Sequence, residues 1–482
     1  MIRYMKGILC LLLFACSLGL VAQDQTGEKW DLPKCVDYAL KNNITVKQAD
    51  LQVKLASLDL YQSKMSKYPM ANFNTNTAYS SGRNQDPTTF SLITVGYLYS
   101  SYALQASANL FNWFTLKNTV AVKDYNYKAT EAGADKARND ISFNVAVAYL
   151  QVLLGKEQSN LAGIQVAQTR AQLESTRKQV DVGALPELNA AQLESQLATD
   201  SSNLISAETS AQQLLLQLKA LLNLDAAADF DIASVPVDLV PVDNLADLQP
   251  EAVYNLAIAN LPQQKVDELN LKAALKSVKV ARGSMYPTFS LFGSLGTTYN
   301  NQAFGIKSVS QLNAPVGTVT VGGTPYQVYP LSPFNIYNYE NITYFNQMSQ
   351  NIREAVGISL SVPLFGGSSL RTTWQRSKLS LRQVELQKEQ NSVTLKQDIY
   401  KAYNDAVAAL QKFNANKIVV QTADKTYDFA KKRYELSLLS TYELLNSQNN
   451  VLTAKSQLLY SHYDYVFKMK LLEFYKGQGI KL

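Results

Sequence analysis

The sequence predicts an α+β membrane protein built from a duplicated helix–hairpin–long helix–helix unit. Three copies are expected to form a trimer, with a 12-stranded β-barrel on a long α-helical barrel. Three observations predict this. The chain contains an internal duplication, it has two proline-free stretches of about 67 residues, and four short alternating strands sit at matching points of the two repeats.

Composition narrows the field first. The chain has 482 residues, a net charge of +6, 46% hydrophobic and 17% charged residues. That excludes a disordered chain and a polytopic helical membrane protein. His462 is the one histidine, which leaves no multi-histidine metal site. Cys10 and Cys16 lie in the apolar N-terminus, so a processed chain keeps Cys35 alone and has no internal disulfide. Residues 1–22 read as a secretory signal peptide. Arg3 and Lys6 precede the apolar run from Ile8 to Val21, and Leu20-Val21-Ala22 offers a cleavage site before Gln23. A lipid anchor at Cys16 is the alternative, against which Phe14 stands in the Leu13-Phe14-Ala15-Cys16 box. Losing Arg3 and Lys6 lowers the charge to about +4, too mild and dispersed for nucleic acid.

The duplication shows as constant offsets. Asn109-Leu110-Phe111-Asn112 matches Pro363-Leu364-Phe365-Gly366 at 254 residues. The same offset pairs the stripe Leu197, Leu204, Ala211, Leu218 with Val451, Leu458, Tyr465, Leu472. Earlier in each half the offset is 218, pairing Tyr68-Pro69 with Tyr286-Pro287 and Ala39 with Ala257. The 36-residue difference is an insertion, and residues 300–350 have the Gly, Asn, Gln, Pro and Tyr content of a long loop. The expected domains are a first repeat over 30–222 with its hairpin at 69–111, an inter-repeat segment 223–249, and a second repeat over 250–476 with its hairpin at 287–365.

Within each half, residues 34–67 and 250–284 read as single helices ended by proline. Four strands of about ten residues follow from alternation: 71–81, 102–110, 289–299 and 356–364. Phe73, Leu104, Leu291 and Ile358 fall on apolar faces, with Asn72, Gln105, Ser290 and Ser359 on polar ones. That period and length suit transmembrane barrel strands. The stretches 115–181 and 368–435 would each make a helix of about 100 Å, and 187–222 and 441–476 helices of about 54 Å. The half-length helices, stacked end to end, would match the long ones in a cylinder about 100 Å tall. The inter-repeat segment carries six aspartates and no Lys or Arg, which suits an irregular layer around the cylinder or a plain acidic linker. Four strands cannot close a barrel, and a bilayer forbids open sheet edges, so several copies must contribute.

The start Trp30-Asp31-Leu32 leading into Cys35-Val36-Asp37-Tyr38-Ala39-Leu40, the two Tyr-Pro stops and the turn Leu364-Phe365-Gly366-Gly367 resemble the TolC family of outer membrane efflux proteins, most of all members from Bacteroidetes-type bacteria. The resemblance spans about residues 30–476. It implies a homotrimeric passive duct in the outer membrane lipid with a tunnel through the periplasm. The implied partners are a periplasmic adaptor (membrane fusion) protein and an inner-membrane pump, in a tripartite efflux or type I secretion system carrying small molecules or proteins.

The resemblance also places site residues. The turns Val182-Gly183-Ala184-Leu185 and Leu436-Ser437-Leu438-Leu439 match the adaptor-contact turns, with Ser437 where glycine is usual. Glu443 and Asn446 match two acidic residues that ring the periplasmic entrance, one kept and one replaced by an amide. Tyr434 matches a latch tyrosine, expected to bond Asn189, which stands where the family has aspartate. Leu439 stands where the latch has arginine. Glu187 is a further acidic residue near the entrance. Structurally, the turns also serve as plain helix reversals, and Glu443 as a solvated charge.

No Gly-x-x-x-x-Gly-Lys-Ser/Thr loop occurs, and no catalytic constellation, cofactor or metal site is expected. The competing function is a periplasmic coiled-coil scaffold or adhesin without a pore. It accounts for the helices but not for four alternating strands placed symmetrically.

Overall fold

The structure, a computed structural model, describes residues 29–85, 90–234, 236–237, 240–436 and 438–477. The signal peptide, Cys10, Cys16 and Ser437 lie outside the described residues. The helices are α1 (Leu32–Asn42), α2 (Ile44–Met65), α3 (Thr115–Asp181), α4 (Glu187–Leu222), α5 (Pro250–Asn260), α6 (Pro262–Gly283), α7 (Tyr344–Gln350), α8 (Ser369–Glu435) and α9 (Thr441–Lys476). The strands are β1 (Met70–Gln85), β2 (Leu92–Phe111), β3 (Thr288–Asn300), β4 (Phe304–Leu312), β5 (Gly317–Val321), β6 (Thr324–Val328), β7 (Phe334–Asn341) and β8 (Arg353–Ser361).

The two offsets recur in these boundaries. Adding 218 to the ends of α1 and α2 returns those of α5 and α6, and adding 254 to α3 and α4 returns α8 and α9. Three expectations need correction. Each predicted first helix is two helices. At Asn43 the backbone leaves the helix, and its side-chain oxygen accepts the Thr45 N–H at 2.8 Å, as an N-cap does. In the second repeat Pro262 forces Leu261 out of the helical region. The first hairpin is longer than expected, with strands of 16 and 20 residues, because pairing continues through Ser, Thr and Gly beyond the apolar alternation. There Tyr79 lies over Gly96, where a Cβ would come within 2.0 Å of its hydroxyl. Residues 300–350 are not an irregular loop. They form the antiparallel pairs β4–β7 and β5–β6, the latter closed by Gly322 and Gly323 at positive φ, followed by α7.

The chain divides into two compact units that cut across the repeats. The helical unit comprises residues 29–57, 125–272 and 382–477. It holds two cores whose members correspond. Cys35, Ala39, Val145, Ala148, Val152 and Leu218 lie in one, and Val253, Ala257, Ile399, Ala402, Ala406 and Leu472 in the other. Each pair differs by 218 or 254, so both repeats bury the same helix faces. The inter-repeat segment is packed rather than a free linker. Phe230, Ile232 and Val237 enter the first core and Leu248 the second. Ile232 bridges Trp30 in parallel. Its aspartates receive cations: Lys156 of α3 and Lys29, before α1, meet Asp231, and Lys476 of α9 meets Asp243 at 3.1 Å. The lone histidine, His462, stacks on Phe413 at 4.3 Å.

The strand-bearing unit comprises Leu58–Asp124 and Ala273–Leu381. Its main sheet has the order β1-β2-β3-β8, all antiparallel. The register aligns Phe73, Leu104 and Leu295 across one face, and Asn72, Gln105 and Ser294 across the other. The apolar face stays exposed in the single chain; Phe73 is 66% and Val356 83% accessible. At one end of that face Phe111 pairs with Phe289. At the other, the Tyr344 hydroxyl donates to Tyr102 and its ring meets Tyr299 at 4.9 Å. Ten residues separate Phe289 from Tyr299, about 33 Å along a strand and about 25 Å of height at a 40° tilt, the apolar band of an outer membrane barrel.

All four strand-to-helix junctions lie at the Phe111 end. The helix ends there are basic. Lys64 ends α2 and Lys67 follows it. Lys117 and Lys123 open α3, while Lys276, Lys279 and Arg282 close α6. Arg371, Arg376 and Lys378 open α8. The carboxylates in these stretches are Asp59 and Asp124.

Candidate functional site

The helical unit carries both helix reversals. The first ends α3 with a Schellman motif. Gly183, at φ +73°, donates to Val180 O at 2.8 Å, and Ala184 donates to Gln179 O at 2.8 Å. No atom lies within 4 Å of a Cβ built on Gly183, so the glycine is needed for its backbone angle, not for space. Val182 is 78% exposed, while Leu185 is half-buried and Ala184 exposed. In the second reversal Leu438 N–H donates to Arg433 O at 2.8 Å, and the Arg433 guanidinium reaches Leu438 O at 3.5 Å. Leu436 and Leu438 are exposed and Leu439 half-buried. Both turns thus present aliphatic side chains to solvent.

Past the second turn, Ser440 and Glu443 form a capping box that starts α9. The Ser440 hydroxyl accepts from Glu443 N–H, and Glu443 Oε2 accepts from Ser440 N–H at 3.0 Å and from its hydroxyl at 2.8 Å. The Ser440 backbone N–H and then its hydroxyl hold the Glu443 carboxyl below the ordinary carboxylate range. Sequence reasoning missed this role, although Ser440-Thr441-Tyr442-Glu443 is its signature. Asn446 lies one turn on, and both side chains are exposed. Glu187 is exposed in the first turn of α4, where the helix dipole favours a carboxylate.

The expected Tyr434–Asn189 bond does not form. The Tyr434 hydroxyl instead lies 3.3 Å from Thr441 Oγ1, seven residues along its own chain. The α3–α4 helix pair is joined to α9 in two other ways. Leu173, Ala190 and Leu193 pack with Leu445. Deeper in, Gln448 donates to Thr169 Oγ1 at 3.4 Å, the Thr169 hydroxyl donates to buried Asp200 at 2.6 Å, and Gln196 pairs with Asn449 at 3.4 Å. This amide and hydroxyl layer left no sequence signal beyond polar residues at buried heptad positions.

Among the described residues no group of His, Cys, Asp and Glu is arranged to hold a metal ion, and no helix is long and apolar enough to cross a membrane. A sheet with an exposed apolar face of bilayer height suits a subunit of an outer membrane barrel. The comparisons agree. The family model described as "Outer membrane efflux protein" matches residues 35–224 and 253–468, one segment per repeat, and the chain belongs to that family. The outer membrane efflux protein BepC of Brucella suis is 20% identical over 433 residues, 89% of this chain and 81% of that one. The alkaline protease secretion protein AprF of Pseudomonas aeruginosa is 24% identical over 346 residues, 70% of this chain and 61% of that one. A crystal structure of CusC superposes with a TM-score of 0.74 at 17% identity, covering 95% of this chain and 96% of that one. The protein is an outer membrane export channel.

Proposed function

We propose that three copies close one 12-stranded barrel and form the outer membrane stage of a tripartite efflux or type I secretion system. The sheet carries the argument. Four strands with outer edges open at β1 and β8 cannot close alone, and open edges are not tolerated in lipid. In this reading the chain is two repeats, 30–222 and 250–476, joined by 223–249. The two exposed turns contact a periplasmic adaptor, which links the channel to an inner-membrane pump. Glu443 and Asn446 line the periplasmic entrance, with Glu187 nearby. The energy for export comes from the pump. Relatives named for alkaline protease secretion and for toxin and drug export support both a protein and a small-molecule cargo. The poreless scaffold reading leaves the exposed apolar sheet without a role. Purified protein added to planar bilayers is expected to give discrete conductance steps. Protein that releases from the outer membrane in alkali and never conducts would overturn the reading.

A further inference from the structure

The helix ends beneath the sheet are more basic than packing requires. They bring ten cations against Asp59 and Asp124. Lys123 pairs with Asp59 at 2.7 Å. All ten lie within about 14 Å of a helix end, at 1.5 Å per residue. A headgroup layer is about 5–8 Å deep, and charge acts across about 8 Å beyond it at physiological salt. The whole set therefore falls within reach of one lipid surface.

A second observation sits at the same level. Trp113 and Phe114 follow β2 with φ of +52° and +61°, a backbone region that bulky residues avoid. Their rings are gathered with Phe111, at 5.3 and 5.7 Å, and Trp113 also meets Tyr286 at 4.9 Å. Packing holds this turn in place: a Cβ on Gly283 would come within 3.2 Å of Trp113 O. Even so, Phe114 stays 57% exposed, and Phe365, the second-repeat counterpart of Phe111, 89%. Apolar rings held outward between an apolar sheet and a basic collar are the anchors of a membrane interface. Lys378 lies 3.6 Å from the Trp374 ring, and Lys117 lies 5.9 Å from that of Phe114.

We propose that this collar binds anionic phospholipid headgroups of the periplasmic leaflet, with Trp113, Phe114 and Phe365 seated at the acyl boundary. The proposal rests on the outer membrane placement of the sheet. The charges are multiple, far outnumber the carboxylates beside them and are continuous with the apolar face, which suits a lipid surface better than a discrete ligand.

The test uses the full chain carrying Trp30→Phe, so that Trp113 and Trp374 report. The protein is reconstituted with brominated phosphatidylglycerol or brominated phosphatidylcholine, and quenching gives the relative association of each lipid. At about 0.05 M salt the anionic lipid is expected to be preferred about threefold or more, and the preference should fall towards one at about 0.5 M. The variant Lys279→Gln/Arg282→Gln/Arg371→Gln/Arg376→Gln should lose the preference while its mass in detergent is unchanged. Equal quenching by both lipids in the parent protein, or a preference that survives salt and the variant alike, overturns the proposal. Quenching by neither lipid rejects the membrane placement itself, and the proposal with it.

Discussion

Glu443 shows how one side chain serves two demands. Its Oε2 takes both Ser440 hydrogen bonds, and its negative charge also sits well at a helix N-terminus. Glutamine is the other residue a capping box accepts, so Glu443→Gln removes the charge with little disturbance to α9. Under a salt gradient in single-channel recording, the parent is expected to prefer cations and the variant to lose that preference at similar conductance. Like charges converging around a threefold axis repel, and a permeating cation relieves them. The preference should weaken as salt rises. The pH sign follows from the lowered pKa. The charge and its capping contribution are complete above the ordinary value of 4.5 and are lost as pH falls through the depressed folded value. Selectivity should therefore be present near neutral pH and fade as pH falls through the range where the carboxylate protonates. Unchanged selectivity in the variant would move the assignment to Glu187.

At the scale of elements, the reversals and the ribbon carry the predictions. Gly183→Phe forces a side chain into the left-handed region at about 1–2 kcal/mol. Open space around the site means no further clash. A penalty of that size leaves the fold intact, so Gly183→Phe, or Leu438→Asp at the second turn, should abolish export while the assembly still inserts. Normal export by both variants would reduce the turns to chain reversals. The ribbon of β4–β7 and β5–β6 follows the Tyr299 end of the sheet, opposite the helix junctions. An epitope placed between Gly322 and Gly323 should be labelled on intact cells. Labelling that needs a permeabilised outer membrane would place the ribbon on the other side.

For the whole molecule, the decisive quantity is the number of chains. One sheet exposes an apolar face, which suits lipid, and two open edges, which a bilayer does not tolerate. Three copies offer twelve strands, an even count within the usual range for such barrels. Mass measurement in detergent is expected to give a trimer of the processed chain. A stable monomer or dimer with full strand content would sink the barrel. The missing Tyr434–Asn189 bond bears on the assembly too. With that contact replaced by Tyr434–Thr441, the α3–α4 helix pair meets α9 through Leu445 and the Gln448–Thr169–Asp200 layer.

The sequence by itself determined what repeats and periodicity encode. The two long helices, α4 and α9 were legible because proline-free heptad patterns and flanking breakers mark them locally. The duplication was legible because both copies bury the same faces. The four strands of the main sheet were legible as alternation, because one face is apolar and the other polar. Tertiary structure alone decided the rest. Asn43 ends a helix because its side chain turns to Thr45 N–H and to Leu221 O across the fold. The ribbon at 300–350 exists through pairing between residues some 30 apart, which composition does not reveal. The basic collar is dispersed over four stretches of chain, and only the shared end of an antiparallel sheet gathers it. Contacts between distant segments, unlike periodicity, leave no local trace in a single chain.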